Sequence, residues 1–149
     1  MKIRRIWAMP NKRTFQIKPI KDLLDYYKVT PFWIDPFPYK FKEDALIYLS
    51  GLESNSIGGI LFDPPYSPRQ LKECYKNIGQ SLHDTTSRVW SNWKWEIARI
   101  IKTEGLCISF GWNSGGLGKT LGFKIIEILL VPHGGNHNDT IVTVEVKNA

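Results

Sequence analysis

The sequence predicts an α/β fold with a mostly parallel sheet, and three features of the chain support this prediction. Short apolar segments alternate with segments of helical periodicity between residues 18 and 110. Two of these apolar segments end in Asp-Pro and an aromatic residue, at "WIDPF" and "LFDPPY". Two longer apolar segments near the C-terminus are separated only by a short polar loop. Strands that alternate with helices indicate parallel pairing, whereas two strands without an intervening helix pair antiparallel.

The first half of the chain contains four predicted elements. They are a helix over 18–28, a strand over 32–35, a helix over 44–52 and a strand over 58–62. Pro19 lies in the first turn of the first helix, where a missing N–H is tolerated. Asp44 precedes the second helix and can serve as its N-cap, because its carboxylate accepts hydrogen bonds from free backbone amides.

The second half contains five predicted elements. They are helices over 68–78 and 87–102, and strands over 106–110, 123–131 and 139–146. Arg99, Lys102 and Gly105 mark the expected end of the longer helix, since basic residues and glycine favour helix C-termini. The last two strands, joined by "PHGGNHN", should form an antiparallel hairpin.

The composition indicates one domain. The chain has 149 residues and is 42% hydrophobic, which is enough for a core. No apolar run approaches the roughly 20 residues of a spanning helix, and no apolar h-region follows the basic N-terminus. Cys74 and Cys107 are too few and too far apart for a disulfide framework or a thiolate zinc site. We therefore expect a cytoplasmic protein without a membrane partner.

The charge favours a polyanionic partner. Twenty Lys and Arg against fourteen Asp and Glu give a net charge of +6 and a pI near 9.3. The basic residues near the N-terminus are Lys2, Arg4, Arg5, Lys12 and Arg13. The six Trp and six Tyr could stack on bases. Trp90, Trp93 and Trp95, however, are expected to pack in the core.

Asp35 and Asp63 occupy equivalent positions at the ends of two predicted strands. In open α/β sheets, ligands bind beyond the carboxyl ends of the strands. If the two strands are neighbours, both carboxylates face one crevice and form one site. The alternative is a pair of Asx-Pro turns that do no more than end the strands.

"Asp-Pro-Pro-Tyr" at 63–66 suits chemistry on a conjugated amine. Such an amine is a poor nucleophile, because its lone pair is delocalised into the ring. The Asp63 carboxylate and the Pro64 carbonyl could accept its two N–H bonds and return electron density to the nitrogen. Pro65 would stiffen the turn, and Tyr66 offers a flat face for an extruded base.

This motif resembles the catalytic motif of S-adenosylmethionine-dependent amino-methyltransferases, the adenine-N6 and cytosine-N4 DNA methylases. "WIDPF" is similar to their cofactor motif, and "FQIKPIKDLL" to the Lys-Pro helix that precedes it. "DALIYLSGLESNSIGGILFDPPY" resembles their approach to the catalytic motif. Together with "SFGWNSGG" and "LVPHGGNHNDTIVTVE", these segments resemble small adenine-specific methylases of phages and microbes.

The resemblance implies a minimal Rossmann-like methyltransferase domain over 1–149, with no separate target-recognition domain. It implies S-adenosylmethionine as methyl donor, no metal, and adenine N6 in DNA as the target. A protein of a phage would act in the host cytoplasm. Alternatives are a methylase of cytosine N4 or RNA, and a catalytically degenerate nucleic-acid-binding accessory protein of the same fold.

The resemblance also assigns roles to residues of this sequence. The catalytic residues would be Asp63, Pro64, Pro65 and Tyr66. The cofactor-binding residues would be Pro10, Lys18, Asp35, Pro36, Phe37 and Asp44. Apart from the resemblance, Arg69 after the catalytic turn and His137 or Asn138 in the polar loop "PHGGNHN" are expected to contact the nucleic acid. For Arg69, the alternative is a solvated residue in the first turn of a helix.

One segment of the family pattern is missing. After "IDPF", the segment "PYKFKE" leads directly to Asp44, so about twenty residues of a usual strand-helix step are absent, with the acid that would hold the cofactor ribose. The turn also lacks a glycine for close backbone approach. We therefore expect weak cofactor binding by the monomer, or a homodimer that covers the shortened sheet edge.

Two further motifs allow competing interpretations. "NSGGLGKT" at 113–120 nearly matches a phosphate-binding loop, but a strand follows it instead of a helix. A glycine-rich connection at the rim of the cofactor crevice is therefore preferred. "HGGNHND" could supply metal ligands through His133, His137 and Asp139. A polar loop over the target pocket is preferred, and a turn with incidental histidines is the third interpretation.

Overall fold

The structure is a computed structural model that describes residues 1–30, 32–38, 43–79 and 87–149. The turn predicted at 38–43 lies mostly outside these residues. In the described part of the chain, a five-stranded sheet is flanked by four α-helices. The strands are β1 (Lys2–Arg5), β2 (Ile57–Phe62), β3 (Ile101–Gly111), β4 (Phe123–Val131) and β5 (Thr140–Lys147). The helices are α1 (Lys18–Tyr26), α2 (Ala45–Ser50), α3 (Pro68–Asn77) and α4 (Ser87–Ile100).

The sheet has the strand order β1-β4-β5-β3-β2. The β1–β4 and β2–β3 pairs are parallel, and β5 is antiparallel to both of its neighbours. The predicted α/β class, with a mostly parallel sheet and an antiparallel β4–β5 hairpin, is therefore confirmed. The second strand of the hairpin lies inside the sheet, between β4 and β3.

The core has two layers, one on each face of the sheet. Residues alternate between these faces along each strand, so Ile60 and Phe62 point to one layer and Leu61 to the other. The first layer is formed with α2, α3 and α4, and the second with α1. The helices therefore cover both faces and leave the strand ends as the place for a site.

The expectation that three tryptophans of α4 pack in the core is correct for Trp93 and for Trp90, which packs against the same cluster, and wrong for Trp95. Trp93 is 1% exposed and packs edge-on against Phe37, with ring centroids 4.6 Å apart. Trp90 is partly buried, and Trp95 is 67% exposed. The helical period of about 3.6 residues explains this, because three residues spaced so closely cannot share one face.

The predicted strand over 32–35 is wrong in extent, because the structure contains only one bridge there, between Ile34 and Ile60. Leu61 N–H donates to the Ile34 carbonyl oxygen at 2.9 Å. Pro36 has no N–H and cannot continue the ladder. The Trp33 indole lies across Gly59, where any Cβ atom would collide with the ring carbons. This glycine therefore lets the segment approach β2.

The predicted end of the long helix is also wrong. The helix ends at Ile100, and β3 begins at Ile101 without a connecting loop. Lys147 from β5 donates to the carbonyl oxygens of Ala98 at 2.7 Å and Ile101 at 2.6 Å. This cap for the helix end comes from a residue far along the chain, so the local sequence could not reveal it.

The N-terminal strand β1 was not predicted. It pairs with β4, and Arg4 donates to the Glu127 carboxylate at 2.9 Å. The Tyr27 hydroxyl donates to the same carboxylate at 2.8 Å, so this buried acid joins β1, β4 and the end of α1. Among the residues that the structure describes, none of the helices is long and apolar enough to cross a membrane.

Candidate active site

Asp35 and Asp63 lie at the same edge of the sheet, as expected from the two Asp-Pro motifs. The parallel bridge between Ile34 and Ile60 makes their backbone segments direct neighbours. Each aspartate follows the point where its segment leaves the sheet. The expected adjacency is therefore confirmed, and the two carboxyl groups are close enough for the charge of Asp35 to raise the pKa of Asp63.

Both carboxyl groups hold protons more tightly than an exposed aspartate does. Burial raises the pKa of Asp35 to about 6, although a hydrogen bond from Phe37 N–H at 3.0 Å opposes the shift. Burial also raises the pKa of Asp63 to about 6, and the charge of Asp35 adds to this increase. Two carboxyls that disfavour each other's charge form a site suited to a cation or to proton transfer.

The Pro64–Pro65 turn is fixed by contacts from two helices. The Trp90 indole, on α4, donates its Nε1–H to the Pro65 carbonyl oxygen at 2.9 Å. On the other side, Tyr66 N–H donates to the Gln70 side-chain oxygen at 2.7 Å. Ser67 caps α3 by accepting from Gln70 N–H at 3.2 Å. Backbone orientation at the turn is thus set before any ligand binds.

Asp63 receives two side-chain hydrogen bonds. The Tyr66 hydroxyl donates to its Oδ1, and the Thr14 hydroxyl is a second donor. Both bonds favour the ionised carboxylate and oppose the effect of burial on its pKa. Burial, together with the Asp63 charge, raises the pKa of Tyr66, so the phenol keeps its proton and remains a donor. An incoming amine would have to share or replace this donor.

Three clefts meet at Tyr66. The first, about 350 Å³ in volume, lies between residues 37–38 and α3 and is bordered by Asp63 and Pro64. We refer to this first cleft as the α3 cleft. The second, about 130 Å³, lies between α4 and the end of β3, and we name it the α4 cleft. The third, about 320 Å³, lies beneath the loop between β4 and β5, and we name it the hairpin cleft.

The residues expected on the cofactor side are placed around the α3 cleft or used for local structure. Phe37 lines this cleft while its ring packs in the core, and Pro36 beside it is buried. Asp44 is the N-cap of α2, as predicted, and accepts from Leu46 N–H at 2.8 Å. The Tyr75 hydroxyl also bonds to Asp44. The Asp44 carboxylate therefore already has a structural function.

Two more of these residues lie farther from Asp63. Pro10 borders the hairpin cleft. Lys18 begins α1, and its ammonium pairs with Asp22 at 3.2 Å on the exposed face of that helix. The structure therefore does not bring all six expected cofactor residues into one cleft.

The residues expected to contact nucleic acid are separated in the same way. His137 and Asn138 are exposed and border the hairpin cleft. Arg69 lies in the first turn of α3, where its guanidinium pairs with Glu73 at 3.3 Å. This is the arrangement that the alternative interpretation of Arg69 expects.

His133 has a structural role in the same loop. It is buried, and its Nδ1 donates to the Ala8 carbonyl oxygen at 2.8 Å, while Nε2 lies 2.8 Å from the Thr140 hydroxyl. Both ring nitrogens are engaged, so His133 is unsuited to bind a metal. Within 1–30, 32–38, 43–79 and 87–149, no group of three His, Cys, Asp or Glu side chains could hold a metal ion.

The glycine-rich loop cannot act as a phosphate-binding loop in this arrangement. The buried Glu145 carboxylate accepts from Leu117 N–H at 2.8 Å and from Gly118 N–H at 2.9 Å. Gly116 has a φ of +54°, and a Cβ atom there would collide with the same carboxylate. The Glu145 carboxylate thus occupies the position in which a phosphate group would have to bind to these amides. The loop borders the α4 cleft. Its expected place at the rim of the cofactor crevice stays a prediction.

Sequence reasoning missed four residues that shape the site. They are Thr14, Gln70, Trp90 and Trp112. Gln70 follows Ser67 by three residues, which is the spacing of a capping box and a usable signal. The others come from distant parts of the chain, and nothing in their local sequence links them to the turn.

No protein-family model and no curated protein matches the sequence. Solved structures do show a likeness, including two of one candidate DNA modification methylase from Thermus thermophilus. Its selenomethionine derivative has 13% sequence identity and a TM-score of 0.48, over 72% of this chain and 53% of that chain. The second structure has 15% identity and a TM-score of 0.47, with the same coverage of 72% and 53%. The chain thus spans about half the length of that protein.

Proposed function

We propose that the chain is an S-adenosylmethionine-dependent methyltransferase acting on an exocyclic amine of a nucleobase, with adenine N6 in DNA as the favoured target. The observation that carries this proposal is the pairing of Asp35 and Asp63 at one sheet edge, beside a Pro-Pro turn held from both sides. The resemblance of "DPPY" and "IDPF" to the motifs of amino-methyltransferases supports the same assignment.

Asp63 and Pro64 would hold the target amine. The carboxylate and the Pro64 carbonyl oxygen can each accept one N–H, which raises electron density on the nitrogen as it forms its new bond. The Trp90 bond to the next carbonyl keeps this geometry from relaxing. With its pKa raised to about 6, Asp63 is also suited to take the proton that the amine loses.

The residues around the α3 cleft fit S-adenosylmethionine. The cleft volume of about 350 Å³ is within the range of small-molecule sites. Asp63 borders this cleft, and Asp35, which does not line it, lies close enough for its charge to raise the pKa of Asp63, so a ligand carrying a sulfonium and an ammonium group would relieve that repulsion. When bound, this cofactor supplies an electrophilic methyl group. Phe37, which lines the cleft, would then orient it, supported by Asp35 and Pro36 next to it in the chain, and positioning would provide much of the catalysis.

The substrate assignment depends on charge and on planar surfaces. A net charge of +6 favours a polyanion such as DNA. Tyr66 would stack on an extruded base, and His137 and Asn138 would contact it or its phosphates from the hairpin cleft. Arg69 would contact a flanking phosphate by exchanging its exposed partner Glu73.

A second candidate function is a nucleic-acid-binding accessory protein that has lost catalysis. One observation favours it: the Tyr66 hydroxyl already bonds to Asp63, the group that would hold the amine. In that case the protein would bind DNA without transferring methyl groups. Cytosine N4 and RNA are alternative targets of the catalytic function.

The proposal is tested by incubating the protein with labelled S-adenosylmethionine and unmodified genomic DNA, followed by mass spectrometry of the released nucleosides. N6-methyladenine is the expected product. N4-methylcytosine as the product would show that cytosine is the target base. Methylation of a parallel RNA sample alone would show that RNA is the substrate. Binding of DNA without any methylated nucleoside would favour the accessory function and contradict the proposal.

A further inference from the structure

Trp112 stands out because its ring is placed beside the candidate catalytic turn. It follows Gly111, the last residue of β3, at the same sheet edge as the end of β2. Its indole meets the Tyr66 ring edge-on, with centroids 5.4 Å apart and an interplanar angle of 66°. It is 44% exposed, whereas Trp93 is 1% exposed. The ring therefore has a large free surface at the site.

Tyr66 and Trp112 together separate two clefts. Of the residues that the structure describes, these two border both the α4 cleft and the hairpin cleft. Edge-on pairs of aromatic rings contribute only modestly beyond the area that they bury, so little holds Tyr66 and Trp112 together. If the rings moved apart, the two clefts would join into one slot with an aromatic wall on each side.

We propose that Trp112 is the second stacking wall for the substrate, opposite Tyr66, and that the slot selects a planar base over an aliphatic amine. The inference rests on the proposed function and deepens it. Two aromatic faces can stack on any planar conjugated ring, whereas an alkyl amine makes no equivalent contact with them. Lys94 and Ser109 also line the α4 cleft, so a base entering it would meet polar residues.

Base binding in the slot is energetically favourable, because two stacking contacts with the base replace one weaker contact between the rings of Tyr66 and Trp112. The edge-on contact of Tyr66 with Trp112 is lost when the slot opens, and two ring-to-base stacking contacts form. Removing one wall should therefore weaken base binding roughly 5- to 100-fold. It should leave the affinity for S-adenosylmethionine unchanged, since Trp112 does not border the α3 cleft.

The test compares Trp112→Ala and Trp112→Phe with Trp95→Ala, a matched control on the exposed face of α4. The first readout is quenching of 2-aminopurine fluorescence in a single-stranded oligonucleotide, which reports stacking and needs no catalysis. We expect binding to weaken roughly 5- to 100-fold in Trp112→Ala and to be retained in Trp112→Phe and Trp95→Ala. Circular dichroism of each variant verifies its fold.

The second readout is kcat/KM for methyl transfer to genomic DNA, with cofactor affinity measured by calorimetry. A wild-type protein that quenches 2-aminopurine through Trp112 but transfers no methyl group would contradict the proposed function and support the slot. Equal quenching by Trp112→Ala and wild type, or none by the wild type, would overturn the inference. Retention of binding by Trp112→Ala with loss in Trp112→Phe would also overturn it.

Discussion

The Trp90 indole donates a hydrogen bond of 2.9 Å to the carbonyl oxygen of Pro65, across the boundary between α4 and the turn after β2. This contact joins the second half of the chain to the residues proposed to hold the target amine. Because the turn contains two prolines, it has few backbone donors of its own to hold it in place. The helix therefore supplies the rigidity that a preorganised acceptor pair requires.

Replacing Trp90 with Phe should keep most of the packing and remove this hydrogen bond. Loss of a hydrogen bond to a partly buried group costs on the order of 1–2 kcal/mol. We expect kcat for methyl transfer to fall about tenfold, because the acceptor geometry relaxes, while cofactor affinity stays the same. Steady-state kinetics and calorimetry measure the two effects, with Trp95→Phe as the control. An unchanged kcat would show that the turn is rigid without Trp90.

The rate of methyl transfer should depend on pH through Asp63. The ionised carboxylate accepts an N–H more strongly than the protonated carboxyl does, and it alone can take the proton that the amine loses. Burial raises the pKa of Asp63 to about 6. The rate should therefore rise with pH through about 6 and level off above it. The Tyr66 hydrogen bond lowers this pKa, so Tyr66→Phe should shift the inflection to higher pH. Tyr26→Phe, an exposed tyrosine on α1, is the control. An identical profile for wild type and Tyr66→Phe would exclude Asp63 as the titrating group.

Binding to nucleic acid should weaken steeply as salt is added. Contacts between phosphates and Lys or Arg release counterions, so the logarithm of the affinity falls linearly with the logarithm of salt concentration. Fluorescence anisotropy of a labelled duplex across a salt series gives the slope. An affinity that does not change between low and moderate salt would indicate a small-molecule substrate and contradict a nucleic-acid partner.

The shortened segment after Asp35 should weaken cofactor binding. A lost charge-assisted hydrogen bond to the ribose is worth roughly 1.5–3 kcal/mol, or roughly ten- to a hundredfold in affinity. Asp44 does not offer a simple replacement, because it already caps α2 and bonds to Tyr75. We expect weak binding by the monomer or a homodimer across the sheet edge beside Ile34. Calorimetry with a parallel determination of solution mass tests this. Tight binding by a strict monomer would contradict it.

Much of the fold could be predicted from the sequence because its signals are local. Long apolar segments without an intervening helix identified β4 and β5, and the Asp44 N-cap identified the start of α2. The predictions of a full strand around Ile34 and of a helix that continues past Ile101 were wrong. In both places, contacts from distant residues decide the structure: Trp33 across Gly59, and Lys147 at the helix end.

The candidate site could likewise be predicted only in part. The pairing of Asp35 with Asp63 followed from two similar motifs and from the rule that parallel strands end at one edge. Thr14, Trp90 and Trp112 could not be found in this way, since each reaches the turn only through the three-dimensional fold. Phe37 and Asp44 show the converse, because residues expected to serve a ligand also serve the core and a helix cap.

The central claim is that Asp63 acts on a nucleobase amine. The most direct test is methyl transfer from labelled S-adenosylmethionine to unmodified genomic DNA by the wild-type protein and Asp63→Ala, with circular dichroism of both. We predict that the wild type forms N6-methyladenine and that Asp63→Ala forms none. The variant should keep its fold, because burial disfavours the charged form of this carboxylate and the side chain therefore contributes little to stability. Turnover retained by Asp63→Ala, or no methylated base from the wild type, would contradict the account.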